Sequence, residues 1–213
     1  MTDKHRRFLG PVVEMRKLHD SAEQRIVHSA EMLDRKSLAS VGDTTGEGLT
    51  ALLTETKTHT PEEMAANVAR IGELLGRFAL YVPARFTDDP AEQAKYWAVR
   101  SGIFPAVGGS RPAGTTCLSE DVAFHIEDLP RATAELQALI ARHGYDACIY
   151  GHALEDNYHF IINQSFSPPA EALMNDVAEL VSAGTTARSK PSMARGATWR
   201  PSSAASRATT PWP

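Results

Sequence analysis

The sequence has few cysteines, few aromatic residues and no long apolar run. Its two cysteines, Cys117 and Cys148, stand at no metal-like spacing, which excludes an iron–sulfur cluster held by this chain alone and fits a reducing, cytoplasmic environment. No apolar run approaches the roughly 18–20 residues that a membrane span needs, and no apolar signal-peptide region follows the basic N-terminus. Because aromatic residues make up 7% of the chain, we expect a mainly aliphatic core.

Several common catalytic motifs are also absent. The sequence contains no glycine-rich phosphate-binding motif, no G-x-S-x-G motif and no internal repeat. It does contain 213 residues, of which 42% are hydrophobic and 23% are charged. That composition suits one globular domain of ordinary size.

The charge is distributed unevenly along the chain. Residues 184–213 include five basic residues and no acidic one, so the preceding part holds 17 of the 22 basic residues and all 26 acidic ones. The basic segment is rich in Ser, Thr and Ala, which is typical of a disordered arm. An acidic domain opposes nucleic-acid binding, so we expect no nucleic-acid partner.

Apolar periodicity and capping residues predict helices and strands in alternation. Thr60-Pro61 and Asp89-Pro90 each place an N-cap residue before a proline, which predicts two helix starts. The predicted elements are a weak helical pattern over 1–35, a strand at 49–56, a helix from 61, a strand at 78–82, a helix from 90 to about 100, an irregular loop at 101–116, a strand at 117–126, a helix from 129, a hairpin at 147–166 and a last helix from 167.

Hairpins between the helices favour an α+β fold over a doubly wound parallel sheet. We therefore predict a mixed or antiparallel, ferredoxin-like sheet with helices packed on one face and a disordered C-terminal tail. The predicted divisions are an N-terminal helical segment at 1–45, a main domain at 46–183 and the basic tail at 184–213.

The hairpin at 147–166 contains the most distinctive pattern in the sequence. His152 and His159 bracket an acidic turn, and a turn centred near residues 155–156 would make them cross-strand partners on one face. Two imidazoles placed in this way could hold one metal ion or one anion. The alternative is that both are half-buried sheet residues with backbone partners.

The hairpin pattern is the last of four motifs whose order and spacing together resemble those of a known family. They are W-x-x-R-x-G-x-F-P at 97–105, G-T-T at 114–116, E-D-V-A-F at 120–124 and G-H-x-x-x-x-N-x-H at 151–159. Together they resemble the C-terminal (cap) domain of FAD-linked oxidases, over roughly residues 25–182. The resemblance points to D-lactate and D-2-hydroxyglutarate dehydrogenases, flavoproteins of the vanillyl-alcohol-oxidase type, and so implies FAD as the cofactor.

The resemblance also implies roles for four residues. His152 and His159 match two ligands of a divalent metal such as zinc, and Asn157 matches a residue close to the flavin. Arg100 matches an arginine that pairs with the substrate carboxylate, a task suited to a guanidinium because it binds carboxylates bidentately. The alternative for Arg100 is a surface arginine at a helix end that bonds the last-turn carbonyls.

Two parts of the related enzymes are missing from this sequence. Nothing here resembles the FAD-binding domain, which we expect as a partner, and relatives continue with a segment like Y-D-G-S-L-K-A-E-H-G-T-G-R-N-M-A-P-F-V, which supplies a third metal ligand and the catalytic base. Codons permitted for residues 184–203, taken from the third base of the Gly184 codon, spell all nineteen residues of that segment. We therefore expect a frameshift after about residue 183. A native basic arm is the alternative.

These observations leave two functional hypotheses. The first is a fragment of an FAD-dependent dehydrogenase that oxidises a D-2-hydroxy acid, D-lactate or D-2-hydroxyglutarate, and that we expect to be inactive as this chain alone. The second is a stand-alone α+β module that binds a small anion or metal through His152, His159 and Arg100.

Overall fold

The computed structural model describes residues 3–20, 25–42, 50–165 and 170–184. Within these ranges the chain forms six helices and five strands. In chain order they are α1 Asp3–His19, β1 Ser29–Leu33, α2 Arg35–Ser40, β2 Ala51–Glu55, α3 Pro61–Leu75, α4 Pro90–Gly109, β3 Thr115–Ala123, α5 Leu129–Arg142, β4 Cys148–His152, β5 Asn157–Ser165 and α6 Ala170–Gly184.

The capping residues start α3 and α4 where the sequence predicts. The Thr60 hydroxyl accepts a hydrogen bond from the Glu63 amide at 3.2 Å, and the Asp89 carboxylate accepts one from the Ala91 amide at 2.9 Å. Each cap is followed by a proline at the first helical position, where the missing N–H removes no helical hydrogen bond. Both predicted helix starts are confirmed.

The five strands form one sheet in the order β2-β1-β4-β5-β3, and all four neighbouring pairs are antiparallel. The predicted α+β fold with an antiparallel sheet is confirmed. β1, β4 and β5 occupy the interior of the sheet, and β4 and β5 are the two strands of the predicted hairpin.

Helices α1, α3, α5 and α6 cover what we call the first face of the sheet. Alternate strand residues point into this layer and bury a large aliphatic and aromatic core. Fully buried members from the strands are Met32, Ile149, Tyr158, Phe160 and Ile162. The predicted helix layer is therefore present.

The opposite, second face of the sheet is covered in part by α2 and α4. Leu38 of α2 and Ile103 and Val107 of α4 form a smaller core with strand residues. The strand members of that core are Leu33, Cys148, Tyr150 and Ile161. The helices thus lie on both faces, four on the first and two on the second.

Three element predictions are wrong. The helical pattern predicted over 1–35 ends at His19, and residues 29–33 form the interior strand β1, whose last four residues are buried. The strand predicted at 78–82 is wrong: this segment is irregular, largely exposed and not part of the sheet. The loop predicted at 101–116 is helical as far as Gly109, because Ile103 and Val107 bury against the sheet.

The domain divisions stay predictions, although β1 and β2 pair across the proposed boundary at residue 45. The tail predicted to be disordered begins at Gly184, which instead ends α6. The rest of that tail and the helix start predicted at Ser167-Pro168 lie outside the described residues. Among the helices that are described, none is long and apolar enough to cross a membrane.

Candidate functional site

A set of polar side chains meets on the second face, beside the part that α2 and α4 cover. Strand pairing places Glu31 opposite His152, and His159 between Tyr150 and Asp121. Opposed residues share a face, as do residues two apart on one strand. We call Glu31, Arg100, Asp121, His152 and His159 the polar cluster.

The two histidines share a face, as predicted, but they are not cross-strand partners. The residue opposite His159 is Tyr150, and His152 lies diagonally from His159 with the ring centroids 5.5 Å apart and nearly perpendicular. The predicted turn centre is wrong because Ala153 and Leu154 are buried, which moves the turn toward the N-terminus. The imidazoles are nevertheless close enough to contact one ligand.

Glu31 is the buried centre of the polar cluster, with 4% of its surface exposed. One carboxylate oxygen accepts a hydrogen bond from His152 Nδ1 at 2.6 Å, and the other accepts one from Arg100 Nε at 2.9 Å. Burial raises the pKa of Glu31, but these two hydrogen bonds outweigh it and the pKa lies below its ordinary value. The hydrogen bond between Glu31 and His152 also raises the pKa of His152, against the opposing effect of burial.

Arg100 lies in the middle of α4 and bonds a buried carboxylate, so it is not the last-turn surface arginine of the alternative interpretation. Its guanidinium carbon lies 4.7 Å from the centre of the Tyr150 ring, a cation–π contact. Its side chain is 18% exposed. In the part of the chain that the structure describes, its hydrogen bond uses Nε, which leaves both Nη groups for a ligand.

His159 has its own carboxylate partner. Its Nδ1 bonds the Asp121 side chain, which lies opposite it on β3. Both imidazoles of the polar cluster thus use Nδ1 for a carboxylate, and neither Nε2 bonds a carboxylate among the described residues. Metal-binding histidines usually have this arrangement, in which the second ring nitrogen donates to a carboxylate.

The hairpin that holds both histidines depends on two further residues. Gly151 has φ +153°, and a Cβ there would lie 2.6 Å from the Asn157 carbonyl oxygen on the neighbouring strand. Arg16 of α1 bonds the Leu154 carbonyl and lies 3.2 Å from the Asp156 carboxylate, so α1 holds the turn from the first face.

The profile of one protein family, described as FAD linked oxidases, C-terminal domain, matches residues 15–187 of this chain. The match covers most of the sequence. The chain belongs to this family. The predicted family is therefore confirmed, whereas the narrower grouping with D-lactate and D-2-hydroxyglutarate dehydrogenases is not decided by this match.

Two solved structures are similar to this chain at low sequence identity. p-Cresol methylhydroxylase with substrate bound superposes with a TM-score of 0.56 at 13% identity, over 84% of this chain and 41% of that chain. 4-Ethylphenol oxidase from Gulosibacter chungangensis, in complex with isoeugenol, gives a TM-score of 0.49 at 13% identity, over 83% and 40%. This FAD-linked oxidase domain thus spans about two fifths of the length of either protein. No curated protein matches the sequence.

Asn157, the residue expected near the flavin, begins β5 of this FAD-linked oxidase domain. Its side-chain oxygen is buried and finds no hydrogen-bond partner among the described residues. An unpaired buried carbonyl oxygen is costly unless a bound group satisfies it. Within the same described ranges, no group of three or more His, Cys, Asp and Glu side chains is placed to hold a metal.

Large apolar side chains are exposed on α4 and on the segment that precedes it. We call this set the apolar surface: Leu80, Tyr81, Val82, Phe86, Tyr96, Trp97 and Phe104. α4 also carries Arg100, so the apolar surface adjoins the polar cluster. Contiguous exposed apolar side chains of this kind usually mark an interaction site.

Sequence reasoning missed Glu31 and Tyr150 as site residues, and it noted Asp121 only as part of a motif. The contact between Glu31 and His152 joins residues 121 positions apart, so no local pattern indicates it. One signal was available, because Glu31 is an acidic residue inside the otherwise apolar run Ala30–Leu33. Charged residues buried in such runs are almost always paired.

Proposed function

We propose that this chain is the C-terminal part of an FAD-dependent dehydrogenase that oxidises a D-2-hydroxy acid, such as D-lactate or D-2-hydroxyglutarate, to the 2-oxo acid. The observation that supports this substrate class best is the polar cluster. It brings a guanidinium close to two imidazoles, and no described residue forms a hydrogen bond with the Nη groups of the first or the Nε2 atoms of the others. A 2-hydroxy acid has a carboxylate and a neighbouring hydroxyl, which need those two kinds of partner.

Arg100 is the residue proposed to bind the substrate carboxylate. Glu31 already occupies Nε, and the two Nη groups form the fork that a carboxylate accepts in bidentate fashion. Tyr150 beneath the guanidinium and Glu31 beside it hold the fork in place. Glu31 pairs with both Arg100 and His152, so these three side chains together carry a net positive charge when that imidazole is protonated, which favours an anion.

His152 and His159 would hold a divalent metal such as zinc, together with a ligand from outside the described residues. They fit this role because each Nδ1 bonds a carboxylate, which orients the ring and leaves Nε2 for the ion. A bound ion would lower the pKa of the substrate hydroxyl. The pair alone is two ligands, fewer than the four protein ligands of a structural zinc site or the three of a catalytic one.

FAD would accept the hydride from the substrate. Asn157 is the residue of this chain proposed to contact it, since the buried Oδ1 offers an acceptor that no described residue uses. We propose that the FAD-binding domain packs on the apolar surface, next to Arg100, because burial of Trp97, Phe104 and their neighbours would then be complete. The length of the related proteins leaves room for such a domain.

The frameshift after about residue 183 remains part of this proposal. It would explain why the family match stops at residue 187, since codons permitted for the following residues can encode a further Glu-His pair in the shifted frame. The nucleotide sequence tests it directly. A shifted frame that does not encode E-H-G-T-G would contradict it.

The second candidate is a binding module without catalysis. The polar cluster is complete within this chain, so it could bind a small anion or a metal with no second domain. Absence of a catalytic base from the described residues would then be of no consequence.

Isothermal titration of the purified 213-residue chain tests both candidates. We expect zinc to bind, and His152→Ala/His159→Ala to abolish that binding while the fold is retained by circular dichroism. With zinc present, D-lactate or D-2-hydroxyglutarate should bind more tightly than p-cresol, and Arg100→Met should weaken the acids only.

Arg100→Lys is the matched control, since it keeps the charge but removes the fork. Tighter binding of p-cresol than of either acid would refute the proposed substrate class. Acid binding without any flavin absorbance, even after FAD and the separately produced flavin domain are added, would favour the binding module.

A further inference from the structure

Glu31 differs from every other side chain of the polar cluster in that it contacts two of the proposed ligand-binding groups at once. Its two oxygens accept from two donors that come from different elements, His152 on β4 and Arg100 on α4. It is also the most deeply buried of the five, so it has little freedom to move. Asp121, by comparison, bonds His159 alone and is partly exposed.

We infer that Glu31 is the positioning residue of this site: it fixes the tautomer of His152 and the orientation of Arg100 through one carboxylate. A neutral imidazole has one N–H and one bare nitrogen. Because the Glu31 carboxylate only accepts, the hydrogen of His152 must stand on Nδ1, and Nε2 is bare. Because Glu31 takes Arg100 Nε, the two Nη groups are left as the free end of the guanidinium.

What these two groups bind rests on the proposed function, whereas the way they are held rests on the hydrogen bonds alone. The distinction allows separate tests. Each Glu31 oxygen is bonded to one of these two groups, so Glu31 is proposed to act on a ligand through His152 and Arg100.

The isosteric variant Glu31→Gln makes the inference testable. A glutamine offers one accepting oxygen and one donating NH2 group, and a guanidinium can only donate. The oxygen must therefore face Arg100, and the NH2 group must face His152 Nδ1. That nitrogen becomes the acceptor, and the hydrogen of the imidazole moves to Nε2.

Long-range 1H–15N correlation spectra of the histidine-labelled chain report which ring nitrogen is protonated. At about pH 9, where an ordinary imidazole is neutral, we expect Nδ1–H for His152 in the native chain and Nε2–H in Glu31→Gln. Adding Arg100→Met to Glu31→Gln removes the competing donor, so the amide is free to rotate and Nε2–H is no longer enforced. The fraction of His152 with its hydrogen on Nδ1 should then rise above that in Glu31→Gln.

Asp121→Asn is the matched control. It makes the same carboxylate-to-amide change next to His159, but no second donor there prevents the amide oxygen from facing the ring. The tautomer of His159 is therefore not forced to invert, and His152 should not respond. The positioning role would be overturned by Nε2–H on His152 in the native chain, a result that does not depend on any variant folding. It would also be overturned if Glu31→Gln left the His152 tautomer unchanged.

Binding of zinc ion alone supplies the second measurement. Loss of a carboxylate that orients a metal-binding histidine typically costs 10–100-fold in metal affinity. Glu31→Gln should therefore weaken zinc binding by that factor, and Glu31→Gln/Arg100→Met should weaken it less. A native chain that binds no zinc but shows the tautomer pattern would refute the metal site and leave Glu31 as the positioning residue. Zinc affinity unchanged in Glu31→Gln despite inversion would show that His152 Nε2 does not bind the ion, and would refute the metal site.

Discussion

The two faces of the sheet use the same strands but differ in how completely helices cover them. Four helices seal the first face, where Met32, Ile149 and Phe160 are excluded from water. Two helices cover only part of the second face, and the remainder holds buried Glu31 and its partly exposed partners. Neighbouring residues of one strand therefore serve different purposes: the first face stabilises the fold, and the second presents polar groups that the fold holds rigidly.

Loss of a large side chain from the first face should have the greatest effect. Phe160 is 0% exposed and lies in the middle of β5, so Phe160→Ala should lower the free energy of unfolding by about 3–5 kcal/mol. Asp121→Asn, on the second face, should cost less than about 1 kcal/mol because Asp121 is partly solvated. Urea unfolding monitored by circular dichroism measures both. Equal losses would show that the faces do not differ as proposed.

Gly151→Ala should have the next largest effect. It should affect both the stability of the fold and the histidines of the second face. Gly144→Ala is the matched control, since Gly144 also has a positive φ, +78°, but nothing lies within 4 Å of its missing Cβ. Backbone strain of roughly 1–3 kcal/mol applies to both variants. At Gly151 the new Cβ would also meet the backbone of β5, at Tyr158 Cα 2.9 Å away.

We therefore expect Gly151→Ala to be the more destabilising of the two and to separate His152 from His159. Urea unfolding measures the first effect, and loss of zinc binding in the surviving folded protein measures the second. If Gly144→Ala were as damaging as Gly151→Ala, close packing of β4 on β5 would not be what requires the glycine.

The sequence predicts much of the first face and little of the second. Thr60 and Asp89 mark helix starts through hydrogen bonds to residues two or three positions away, and the alternation in β5 marks its buried side, so local patterns suffice. The polar cluster instead depends on contacts between distant residues, as between Glu31 and Arg100. His152 and His159 were recognised through a motif, but burial of Leu154 sets their register, and that depends on the packing of the whole first face.

The smallest expected effect is a dependence of stability on pH that belongs to the second face. The pKa of Glu31 is lowered by its hydrogen bonds, despite burial. Its contribution to the free energy of unfolding is therefore complete above pH 4.5, the ordinary pKa, and is lost as the pH falls through the folded-state pKa. The pKa of His152 is raised by Glu31. Its contribution to the free energy of unfolding is therefore complete below pH 6.5, the ordinary pKa, and is lost as the pH rises through the folded-state pKa.

The stabilisation should therefore be greatest between pH 4.5 and 6.5, where both groups are charged in the folded protein. It should stay below about 1 kcal/mol, because His152 is 40% exposed and water screens the pair. The difference in unfolding free energy between the native chain and His152→Gln, measured against pH, should give a shallow maximum in that window. The same difference in the Glu31→Gln background should be flat, since the partner charge is gone. A difference that keeps growing above pH 7 would mean that the neutral imidazole, rather than the ion pair, makes the stabilising contact with Glu31.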